Sequence, residues 1–189
     1  WQMIQQYVYP VIEKESRDRN KPVFLGSEQN SPGHEHVSAA ITEGQLPAAG
    51  AGNANALAMW EDCFDRNDTD KSRGADNQWD CAVPGSDKNG LLDAAARKII
   101  VASGSGSGVA GHIKSVEGVK WMAAKFPKTS YYIPAHLERA GAFNPNGNNG
   151  YNIEHLRDFN NAAPTVSFGF ESMPGHQAEA QRGSYSPNA

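Results

Sequence analysis

The sequence predicts an α/β fold built on a mostly parallel sheet. Three observations carry that reading. Apolar, β-prone runs alternate with segments of helical period in the order strand, helix, helix, strand, helix, strand. The chain has 189 residues, which suits one domain with a sizeable core. Its apolar runs, such as IIVA at 99–102, fall far short of a membrane span; such a helix needs about 20 apolar residues.

Residues 1–15 begin as a helix that Pro10 is expected to interrupt. PVFL at 22–25 reads as a buried strand, followed by a loop from Gly26 to Gly33. His34-Glu35-His36 and the small-residue run VSAAI come next. Residues 54–64 place Leu57, Trp60 and Phe64 on one helical face. Residues 65–90 are the most polar stretch and read as a long surface loop or insertion. LLDAAARK at 91–98 suits a helix, and SGSGSGVAG after it should break any regular element. Residues 113–126 align Ile113, Val116, Val119, Met122 and Phe126 on an apolar face, with Lys and Glu opposite. SYYIPA at 130–135 is β-prone, residues 152–161 form a short amphipathic helix with Asn152 as N-cap, and TVSFGFE at 165–171 reads as a strand.

Charge and cysteine content narrow the function classes. The net charge is −4 and no dense Lys/Arg cluster occurs, so a nucleic-acid footprint is not expected. Charged residues make up 20%, too few for the high-charge disordered class. Cys63 and Cys81 form no CxxC pair; they are either two unrelated thiols or one disulfide closing the polar loop. A bridge would imply an oxidising, extracytoplasmic setting. The chain opens at Trp1 and stops in RGSYSPNA, so it reads as a single domain over 1–189, open to truncation at both ends.

In open α/β sheets, sites collect where strands end. Three expected strand ends carry ligand-type residues: His34 and His36 after PVFLG, His136 after YYIPA, and Glu171 after VSFGF, with His176 five residues on. In an extended segment, residues i and i+2 point the same way, so His34 and His36 are expected to reach one cation. His112 and His155 are weaker candidates, for a helix cap or a surface position. Gly106 to Gly111 fits GxGxxG ahead of a helix and could contact phosphate. No acid stands near residue 130 to hold a ribose, which disfavours a dinucleotide. Asp65, Asp68 and Asp70 lack the glycine and glutamate of a calcium loop.

PGHEHVSAA resembles the first motif, HxHxxxS or close to it, of the PHP (polymerase and histidinol phosphatase) superfamily, with Ser38 near the expected serine. YYIPAHLERAG is similar to a later strand-plus-histidine motif of that superfamily. NIEHLRDFNNAAPTVSFGFESMPGHQ is similar to a stretch of bacterial PHP-like proteins. The likeness covers residues 20–45 and 112–183; the closing Asp-x-His motif has no counterpart. It implies a distorted or incomplete β/α barrel of the PHP type with a two- or three-metal site that hydrolyses phosphate esters. Carried over by position, His34 and His36 would bind one metal and His136 another, with Glu171 and His176 as further ligands.

The expectation is therefore a hydrolase that uses Zn, Mn or Fe on a small phosphorylated substrate, with Arg139 or Arg182 steadying the developing charge. The alternative is a secreted, non-catalytic binding or structural module stapled by a Cys63–Cys81 disulfide.

Overall fold

The computed structural model describes residues 1–42, 45–48, 52–66, 79, 81–83, 92–94, 97–100, 108–137 and 150–171. A π-helical stretch, Ile4–Val8, runs directly into α1, Tyr9–Arg19. Pro10 is the second residue of α1, directly after the π-helical stretch, and having no N–H it cannot donate back to that turn. The expected interruption is thus a change of helix type. Asn20, at φ 50°, ends α1 in the left-handed conformation that asparagine tolerates.

The first strand is not PVFL. It is β1, Gly26–Asn30, in residues that read as loop. A tight turn then returns the chain into β2, His36–Ile41. Ser31 N–H donates to Glu35 O at 2.8 Å and His34 N–H to Ser31 O at 3.0 Å. β3, Gln45–Ala48, pairs with β4, Gly52–Asn55. α2, Ala56–Phe64, is capped by the Asn55 side chain, which accepts the Ala58 N–H at 3.0 Å. Where a helix over 91–98 is expected, β5, Leu92–Asp93, and β6, Lys98–Ile99, form an antiparallel pair. α3, Gly108–Lys125, takes the end of the glycine-rich run as its first turn. β7, Ser130–Pro134, and α4, Ile153–Ala162, complete the order. Asn152 caps α4, accepting the His155 N–H at 3.0 Å.

These elements overturn the parallel sheet and the β/α barrel of the PHP type. Every strand pair among the described residues is antiparallel, and the main sheet has the order β1-β2-β7. The cause is local. A two-bond turn between β1 and β2 leaves no room for a crossover helix, and a parallel pair needs one. TVSFGFE is not a regular strand either. It meets β7 through Tyr132 N–H to Val166 O at 2.9 Å and Glu171 N–H to Pro134 O at 2.8 Å.

The sheet has one dry face and one wet face. Val37, Ala39 and Ile41 of β2 point into the core, against Trp60 and Phe64 of α2, Trp121 and Met122 of α3, and Phe159 of α4. His36 and Ser38 alternate with them and are half-buried on the other face. α3 is buried on more than its apolar stripe. Lys114 and Glu117, read as solvated, are enclosed: Lys114 Nζ donates to Asp65 O at 2.8 Å and Lys120 Nζ to Glu117 Oε1 at 2.7 Å. Cys63 and Cys81 are bridged by a disulfide.

Candidate metal centre

Register explains what gathers on the wet face. Glu28 of β1 lies directly across from Ser38 of β2, and Asn30 across from His36. Cross-strand partners share a face. His136 stands two residues past β7, in a left-handed backbone at φ 58°. Among non-glycine residues, histidine is one of the few enriched there. That turn aims the ring back across the sheet at Glu28.

One carboxylate oxygen joins the two rings. His136 Nε2 donates to Glu28 Oε1 at 2.7 Å, and His36 Nδ1 donates to the same oxygen at 3.0 Å. These bonds, that from His136 first, hold the Glu28 carboxyl below the ordinary carboxylate range. The two ring centroids are 5.3 Å apart. One ligand atom from each of Glu28, His36 and His136 lies within 4.8 Å of the other two. Glu171 is at the same edge, and its Oε2 accepts from Ser38 Oγ at 3.5 Å.

His34 does not join this group. Alternation holds only in extended chain, and His34 lies in the turn before β2 begins. Its ring is fully buried and enters a second cluster. His34 Nδ1 donates to Gly150 O at 2.9 Å, and His34 Nε2 lies 2.9 Å from His112 Nδ1. His112 Nε2 lies 3.2 Å from Asp158 Oδ2. His155 packs beside both rings, at 4.7 Å from His34 and 4.5 Å from His112. Burial drives all three histidines toward the neutral form, His155 down to about 4. Tyr151 stacks on His34 at 4.5 Å and donates its hydroxyl to His36 O at 2.8 Å, tying the two clusters together through the backbone.

Of the residues picked from the sequence, the structure brings together His36 and His136, with Glu171 adjacent through Ser38. It sends His34 elsewhere. Arg139, His176, Arg182, Asp68 and Asp70 lie outside the described residues. Glu28 is not among the residues the sequence singles out, because GSEQN reads as loop; the hairpin through Pro32-Gly33 sets it opposite Ser38. No protein-family model matches the chain, and searches of curated proteins and of solved structures find no match either.

Proposed function

We propose that the chain is a metal-dependent hydrolase of phosphate esters, with Glu28, His36 and His136 as the cation's ligands. The observation that carries this reading is the convergence of two imidazoles and one carboxylate within 4.8 Å on the wet face of the sheet. The donor set fits a divalent metal of the Zn, Mn or Fe kind: imidazole suits Zn and Fe, and carboxylate suits harder ions such as Mn. A cation bound there would polarise a phosphoryl oxygen and lower the pKa of a water.

The chain's own groups supply the rest. Glu28, already ionised by its two hydrogen bonds, offers a charged ligand at neutral pH. Tyr151 fixes the His36 backbone from below. Glu171, whose Oε2 accepts from Ser38 Oγ, would take the proton of the attacking water. Water oxygen then bonds to phosphorus, the ester P–O bond breaks, and the alcohol leaves with a proton. Arg139, three residues beyond His136 in sequence, supplies positive charge for the phosphoryl oxygens in this reading. The resemblance of PGHEHVSAA and YYIPAHLERAG to PHP motifs supports the choice of phosphate esters.

The test is hydrolysis of p-nitrophenyl phosphate by the Zn- or Mn-loaded chain. Glu28→Gln and His36→Gln should each lower the rate by at least about 100-fold, since each removes a ligand. Turnover that survives both changes would contradict the assignment. The second reading is a binding module, in which the Cys63–Cys81 bridge would serve as the staple. Absence of turnover by the metal-loaded chain on any phosphate ester would move the balance to it.

A further inference from the structure

The outer edge of β1 is an open row of backbone groups. β2 is the inner strand of its sheet, and its His36 O accepts from Ala135 N–H, so His36 faces β7 and Val37 faces β1. Val37 stands opposite Gln29, and Ser31 N–H donates to Glu35 O, so the bonds of β1 to β2 belong to residues 27, 29 and 31. The N–H and C=O of Gly26, Glu28 and Asn30 therefore point away from the sheet. All three residues are exposed and make no other backbone bond among the described residues. The opposite edge, β7, is met at Tyr132 and Pro134 by the segment that carries Val166 and Glu171. β1 also lacks the lysine, proline or bulge that ordinarily protects an edge.

A second observation lies in the middle of this strand. Gln29 is only 8% exposed, yet neither its Oε1 nor its Nε2 has a hydrogen-bond partner. An enclosed amide without partners is costly and uncommon. We propose that β1 is the surface on which a second copy of this chain docks, the two strands pairing antiparallel about a two-fold axis at Gln29. The sequence is self-complementary in that register. Gln29 stands opposite Gln29 of the partner subunit, with Cβ atoms about 4.5–5.5 Å apart. From there each primary amide donates one N–H to the other's oxygen and accepts one in return. Glu28 stands opposite Asn30 of the partner subunit, a carboxylate against an amide that can donate to it. The register centred on Glu28 would instead oppose two like charges. The register centred on Ser27 leaves Gln29 without its mate, and the Ser27 hydroxyl is already bonded to Glu61.

These features favour a second copy over an unrelated extended peptide. A copy brings a matching amide to Gln29 and meets Glu28 and Asn30 in reversed order at the same time, as an isologous contact must. The flank of the edge fits as well. Val23 and Phe24, 45% and 52% exposed, stand just before β1, and the antiparallel register brings them alongside the partner's β1–β2 turn. The two-fold repeats this apolar flank at both ends of a five-residue edge. Contacts of that extent lie at the small end of specific interfaces, so the dimer forms and dissociates with concentration. Pairing joins two three-stranded sheets across their open edges and sets Asn30 of the partner subunit beside the Glu28 carboxylate.

The inference does not rest on the hydrolase reading, because association alone tests it. Sedimentation of the whole chain, from low micromolar to submillimolar concentration, should show a monomer–dimer equilibrium. Asn30→Pro removes an outward N–H and no bond to β2, at two symmetric places in the dimer. It should raise the dissociation constant by at least about 10-fold. Gln29→Cys reads the register. Opposed residues of a non-hydrogen-bonded pair stand about 4.5 Å apart at Cα, within the span of a disulfide, so oxidation should yield a covalent dimer. The native cysteines are already paired with each other and do not compete. Ser27→Cys, two residues off the axis, should not cross-link. If Asn30→Pro fails to fold, the two cysteine variants carry the test. A chain that stays monomeric at every concentration overturns the proposal. So does a dimer that Asn30→Pro does not weaken and Gln29→Cys does not cross-link. Cross-linking through Ser27→Cys instead of Gln29→Cys overturns the register and the pairing of the two amides.

Discussion

Glu28 Oε1 accepts from two imidazoles, one on β2 and one in the left-handed turn after β7. The sequence displayed His36 and His136 but not this carboxylate, because only strand register puts residue 28 beside them. The same blindness applies to His112, whose pairing with His34 and Asp158 depends on how a turn packs against two helices. Burial has a further consequence for the histidines. His34, His112 and His155 are all pushed below the usual histidine range by loss of water, His155 to about 4. The unfolded chain therefore takes up protons first as pH falls. Their contribution to stability is full above about pH 6.5 and is lost as pH drops through the folded values. Urea unfolding of the metal-free chain should show a clear fall in midpoint between pH 7.5 and pH 5. A midpoint that holds or rises across that window would mean that these rings are charged in the folded state.

The turn between β1 and β2 decides where both HxH histidines go. His36 falls on the first position of a strand and faces the wet side; His34 falls inside the turn and faces the core. Pro32-Gly33 was legible as a turn, yet the reach of that turn against α3 was not, since it depends on Gly108, Gly111 and His112 far along the chain. Gly33→Ala forces a left-handed alanine, at about 1–2 kcal/mol, and drives its Cβ into α3 backbone at 2.6–2.9 Å. A loss of at least about 2 kcal/mol is expected, near the middle of the range for overpacking. Gly169→Ala is the control, because its Cβ would meet nothing within 4 Å; it should unfold with the parent. Equal stability of the two variants would contradict the close approach. Other elements are legible from local signals alone. The apolar spacing of α2, the β-prone SYYIP of β7 and the Asn152 cap of α4 need no distant partner.

Across the whole molecule, sheet direction is the feature that the order of elements does not reveal. Alternating strands and helices suggest parallel pairing only if each strand is placed correctly, and β1 lies in GSEQN, which has neither β-branched nor aromatic residues. Its strand character comes from pairing with β2, a tertiary effect. The disulfide is a second whole-chain device. Cys63 and Cys81 are buried and 18 residues apart, anchoring α2 to a long polar segment. A loop of that size is worth about 3 kcal/mol in the chain-entropy account. Replacing both cysteines by serine should lower the denaturation free energy by that order; a change under about 0.5 kcal/mol would mean that the bridge constrains little. No helix among the described residues is long and apolar enough to cross a membrane.

A cation held by Glu28, His36 and His136 would be seen at its own ligand atoms in imidazole ¹H–¹⁵N spectra of the chain during Zn²⁺ addition. His136→Asn is the matching variant, because asparagine tolerates the left-handed backbone at that position. The ring nitrogens of His36 and His136 should shift together on the first equivalents, and His136→Asn should remove the His36 response. His36 and His136 nitrogens that stay in place at saturating Zn²⁺ would contradict a cation held there.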